Sequence, residues 1–133
     1  MRRSTGLQPI DPGAFHALPS TSLHRAFLPE SIDLSARMPA VGDQGEQGSC
    51  VGWAVGSAAR SYYVGAVDGQ HVGQDTNLVG PAFVYDSIRD RNAGSSIPNA
   101  LDLLTSGAVS LAEYPYDDPL CRLPSPGRRP DSA

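Results

Sequence analysis

At 133 residues, with a formal net charge of −4 and 7% aromatic content, the chain has room for one core and shows no basic patch, so nucleic acid is not an expected partner. No apolar run reaches the length of about 18 residues that marks a membrane span, and two cysteines, Cys50 and Cys121, make no disulfide framework. The segment after Met1-Arg2-Arg3 lacks the continuous apolar stretch of a secretory signal, so the expected compartment is the cytoplasm.

Residues 1–27 carry Pro, Ser and His without helical or strand periodicity and are expected to be a leader without regular structure. Residues 28–43 are expected to be extended, because Pro29 and Pro39 hold their preceding neighbours in β or polyproline geometry. Gln44-Gly45-Glu46-Gln47-Gly48-Ser49 is a polar, glycine-rich turn, and it runs directly into an apolar segment that opens with Cys50. From there Val51, Trp53, Ala54, Val55, Ala58, Ala59, Tyr62 and Tyr63 return to one broad face at helical spacing, leaving Arg60 and Ser61 for solvent. The spacing predicts a central, buried helix over about 50–64, with Gly52 and Gly56 marking the close approach of a neighbouring backbone.

Residues 65–80 hold Gly65, Gly69, Gly73 and Gly80 among polar neighbours and are expected to be a long loop. Pro81 suits the first turn of a second helix, which buries Phe83, Val84 and Ile88 and stops at Asn92-Ala93-Gly94. Ser96 is the expected N-cap of a third helix with Pro98 in its first turn, Ile97, Leu101 and Leu104 on its inner face and Gly107 at its end. Val109 to Leu111 is one strand's worth of chain before Tyr114-Pro115-Tyr116. Residues 119–133 hold Pro119, Pro124, Pro126 and Pro130 and are expected to be a tail without regular structure.

The chemistry concentrates at Cys50. A helix start leaves backbone N–H groups without intrahelical partners and carries partial positive charge, which favours the nucleophilic thiolate of a cysteine seated there. Gln44 lies six residues upstream, and the glycines at 45 and 48 let the loop double back toward the helix start. The Gln44 side-chain amide and the Cys50 backbone N–H would then be two donors aimed at one oxygen beside the sulfur, the arrangement of an oxyanion hole. The cysteines show no CxxC or HxxxH partner spacing, and no phosphate-cradling glycine loop appears, so neither a metal nor a cofactor is expected.

Asp43-Gln44-Gly45 with Gly48-Ser49-Cys50 resembles the nucleophile signature of papain-like cysteine peptidases, in which a glutamine six residues before the cysteine helps form the oxyanion hole. The resemblance runs through residues 28–118 in family order. Leu28-Pro29-Glu30-Ser31-Ile32-Asp33-Leu34 looks like the start of the mature domain, and Met38-Pro39-Ala40-Val41 like the strand entering the loop. Leu78 to Asp86, then Ile97 to Gly107 with Tyr114-Pro115-Tyr116, look like the family's next helices and the turn after them. The implied fold is α+β for the family and mainly α for this chain, the N-terminal helical lobe without the barrel lobe. The implied roles are nucleophile for Cys50, oxyanion donor for Gln44 and cleft wall for Gly94, Ser95 and Ser96.

Four departures qualify the likeness. Gln47 and Val51 stand where the family has cysteine and an aromatic, so its usual disulfide is absent. Gly94-Ser95-Ser96 replaces the common Cys-Asn-Gly-Gly wall, a pattern closer to prokaryotic relatives. The family's general-base His and orienting Asn lie about 130 to 150 residues beyond the cysteine, which would fall past Ala133. His16, His24 and His71 match no such motif and read as loop or surface residues. The leader is also much shorter than the inhibitory propeptide of papain-like zymogens. The expected function is therefore the nucleophile-bearing part of a cysteine peptidase, truncated or split and inactive alone, acting on a peptide or protein substrate with a separate chain supplying the barrel lobe. The alternatives are a non-catalytic peptide- or protein-binding module derived from the same lobe, and a redox-sensing thiol protein.

Overall fold

The computed structural model describes residues 6–20, 29–69, 77–90 and 94–116. Expectations that fall on His24, His71, Asn92-Ala93, Cys121 and the 119–133 tail lie outside the described residues. The order of elements is α1 (Pro12–His16), a 3-10 turn (Ser35–Arg37), a π-wound stretch (Gly52–Arg60) continued without a break by α2 (Ser61–Asp68), α3 (Pro81–Ile88) and α4 (Ile97–Ser106). The chain is mainly helical. β pairing among the described residues is confined to two isolated bridges, Leu7 with Ser95 and Val79 with Ser110.

α3 lies at the centre. Pro81 stands at its first position, where a missing N–H costs nothing, and Pro81, Ala82, Phe83, Val84, Tyr85 and Asp86 are all buried. A helix covered all round has neighbours on every side. It packs on the π-wound stretch and on α4, and the core they share is Val51, Val55, Val79, Phe83, Val84 and Ala100. Tyr114 closes one end, its ring edge-on to Phe83 at 6.0 Å and its hydroxyl donating to Asp86 Oδ2 at 3.0 Å. Arg89 holds the other oxygen of Asp86 at 3.5 Å, so the buried carboxylate is matched by charge as well as by a hydrogen bond.

Several expectations shift once the helices are packed. The helix after Cys50 runs beyond the expected end at Val64 to Asp68, and Gly69, at φ 66°, terminates it in the left-handed conformation that favours glycine. Buried Gly52, Gly56 and Ser61 follow one another at four and five residues, the stride of i→i+5 winding, with Val55 and Ser57 flanking Gly56 on the same side. Ser61, expected in solvent, is fully buried and accepts the Val79 N–H at 3.3 Å, while Tyr63, expected inside, is 59% exposed. A face drawn at 3.6 residues per turn drifts off the core when the turns are wider.

In α4 the Ser96 cap is in place, accepting from Asn99 N at 3.4 Å. The inner face, however, is Ala100, Leu103 and Leu104, with Ile97 and Leu101 about half exposed. Val109 to Leu111 forms bridge contacts in place of the expected strand, with Gly80 N–H donating to Val109 O and Leu111 N–H to Leu78 O.

The leader is the largest surprise. Asp11 caps α1 by accepting from Gly13 N at 2.9 Å and Ala14 N at 3.1 Å. Ahead of it, Gln8 N–H donates to Ser95 O at 2.9 Å and Ser95 N–H donates to Gly6 O at 2.8 Å, which lays the leader parallel to Gly94-Ser95. Residues 6–16 therefore carry regular contacts where none were expected. Ahead of the 3-10 turn, the Asp33 carboxylate accepts the Ser35 N–H at 2.8 Å. The Ser35 backbone and then side-chain hydrogen bonds hold its carboxyl below the ordinary 3.8. That turn is supported at pH above this value, and the support is lost as pH falls through the lowered folded value.

Candidate active site

The loop before Cys50 is folded by its own polar groups. Asp43 Oδ1 accepts from Gly45 N at 2.9 Å, and Gly45 at φ 59° makes the reversal. The Gln47 carbonyl then accepts twice, from Ser49 N at 2.8 Å and from Gln44 Nε2 at 3.0 Å. The second bond uses one of the two amide hydrogens of Gln44 and fixes which way the amide faces. Trp53 N–H donates to Ser49 O at 3.1 Å, the first helical bond, so Ser49 stands at the cap and Cys50 at the first helical position.

Cys50 is half-buried and not disulfide-bonded. One side of it packs on the core cluster. The other faces an open groove of about 840 Å³, walled by Met38 to Gln44 on the incoming segment, which forms no β pairing among the described residues in place of the expected strand, and by Trp53, Ala54, Ser57 and Ala58 on the helix. Gln44 and Cys50, singled out in the sequence, thus line one groove. Its walls are largely apolar, and Val41 at the rim is fully exposed. Trp53 packs beneath Gly42, where an added Cβ would stand 2.2 Å from the indole ring.

Gly94, Ser95 and Ser96 do not line this groove. Gly94 and Ser95 are buried under the leader, and an added Cβ on Gly94 would meet the Gln8 side chain at 2.8 Å. Ser96 serves as the α4 cap. His16 is exposed on α1, its ring edge-on to Phe15, as expected of a surface histidine, and it is not among the groove residues. Among the described residues no group of three His, Cys, Asp or Glu side chains is placed to hold a metal, and no helix is long and apolar enough to cross a membrane.

One residue of the site escaped the sequence reading. The Tyr116 hydroxyl donates to Gln44 O at 2.6 Å and lies 2.7 Å from Ser49 Oγ, while its ring is edge-on to Trp53 with centroids 5.0 Å apart. A phenol has one hydrogen, and a carbonyl can only accept. The Ser49 hydroxyl therefore donates to Tyr116. The Tyr-Pro-Tyr turn was the only signal in the sequence, and it carries no hint of which loop the second tyrosine reaches.

No family model, curated protein or solved structure matches the chain.

Proposed function

We propose that this chain is the nucleophile-bearing helical lobe of a papain-like cysteine peptidase. The observation that carries the reading is the placement of Cys50 at the first helical position, on the wall of a groove that Gln44 also lines. In the proposed reaction the Cys50 sulfur adds to a peptide carbonyl, forming the S–C bond as the C=O π pair moves onto oxygen. Gln44 Nε2 and the Cys50 N–H hold that oxygen. A histidine supplied from outside these 133 residues takes the thiol proton and returns it to the leaving amine, and water hydrolyses the thioester. The groove is where a second lobe carrying that histidine would seat.

A reading as a non-catalytic peptide- or protein-binding module draws support from the exposed apolar rim at Met38 and Val41. Competitive alkylation separates the two. With limiting iodoacetamide near neutral pH, followed by peptide mass mapping, Cys50 is expected to label several-fold faster than Cys121 despite being half-buried. Equal, slow labelling of both thiols would overturn the nucleophile assignment and leave the binding module.

A further inference from the structure

From the loop geometry we infer that Tyr116 is the positioning residue of the site, setting the place of the Gln44 amide relative to the Cys50 sulfur; this rests on the peptidase reading above. Three observations converge on it. The phenol grips both ends of the six-residue loop, the Gln44 carbonyl at one end and the Ser49 hydroxyl next to Cys50 at the other. Ser49 is fully buried, so its hydroxyl depends on the phenol for a partner in place of water. The ring rests against Trp53, one turn into the helix, so the staple is referenced to the helix that bears the nucleophile.

The loop closes on itself through a directed chain: Ser49 O–H to Tyr116, Tyr116 O–H to Gln44 O, and Gln44 Nε2 to Gln47 O. The phenol ties the Gln44 main chain to a residue outside the loop, and glycines at 45 and 48 make that loop soft. Tyr116 is not among the residues lining the groove beside the sulfur. It acts through Gln44, and its removal must show in binding of an oxyanion-like group more than in the reactivity of the sulfur.

The test uses the full chain and a peptide aldehyde carrying a carbon-13 label at the carbonyl. The thiol adds reversibly to the aldehyde: an S–C bond forms, the C=O π bond breaks, and the thiol proton ends on the former carbonyl oxygen. No redox partner or leaving group is involved. Hemithioacetal formation is read by carbon-13 NMR, and the iodoacetamide rate at Cys50, which develops no oxyanion, is read beside it.

Tyr116→Phe is expected to weaken hemithioacetal formation about tenfold, less than the loss of a whole oxyanion donor, while the Cys50 alkylation rate stays within about twofold. Ser49→Ala, which removes one arm of the staple and leaves Tyr116 in place, is expected to weaken it about threefold and decides the matter if the phenylalanine variant does not fold. Hemithioacetal formation by the native chain with no loss in either variant would overturn the positioning role and leave the peptidase reading standing. Absence of a hemithioacetal at Cys50 in the native chain would overturn both.

Discussion

Glycines show at the residue scale how neighbours reverse a local rule. Gly52 sits inside a helix, where alanine is ordinarily better by about 1 kcal/mol. Here an added Cβ would stand 2.3 Å from the Pro81 carbonyl oxygen, a backbone atom of α3 that cannot swing aside. Overpacking of that kind costs about 1 to 3 kcal/mol and outweighs the propensity gain, so Gly52→Ala is expected to destabilise by about 2 kcal/mol. Gly69 is the contrasting case, with φ 66° and nothing within 4 Å of an added Cβ. Its alanine variant should lose about 1 kcal/mol, from the backbone conformation alone. Urea titrations followed by the emission of Trp53, the single tryptophan, measure both, and an unchanged or raised midpoint for Gly52→Ala would contradict the close approach.

The leader is the element whose role depends most on partners elsewhere. It docks through Gly6, at φ 55°, where a Cβ would stand 1.9 Å from the Gly48 carbonyl oxygen. Both facts require glycine, so Gly6→Ala is expected to release the leader from Gly94-Ser95 and from the loop before Cys50. Native-state amide exchange reads this directly. The Gln8 and Ser95 amides should lose most of their protection while α3 amides keep theirs, because α3 is buried by the π-wound stretch and α4 independently of the leader. Equal protection in the variant would mean that the leader is held by something other than this contact.

For the molecule as a whole, the open groove is the feature on which the proposed function turns. Its walls place Met38, Val41, Trp53 and Ala54 beside Cys50 and Gln44, an apolar surface continuous with the thiol. On the proposed function, the chain alone leaves a peptide amide uncut, because loss of a triad member costs several powers of ten. Mixing it with a papain-type barrel lobe bearing His and Asn is expected to restore hydrolysis and to slow exchange over residues 38–44. Protection of those residues without hydrolysis would favour the binding-module reading, and neither change would remove the two-lobe proposal.

What the sequence determined by itself were the features written in neighbouring residues: prolines opening α3 and α4, the Ser96 cap, and the thiol at the junction of a glycine loop and a helix. Each depends on contacts within about one helical turn, which periodicity and capping rules read directly. Tertiary structure alone decided which faces are inside, turning Ser61 inward and Tyr63 outward, because the π winding lengthens each turn and α3 claims the nearest surface. It also decided the partners of the site. Tyr116 reaches Ser49 and Gln44 across 67 and 72 residues, and the leader reaches Ser95 from the far end of the chain. Such pairings arise because buried hydroxyls and backbone groups must find partners wherever packing brings them, and that depends on the whole fold.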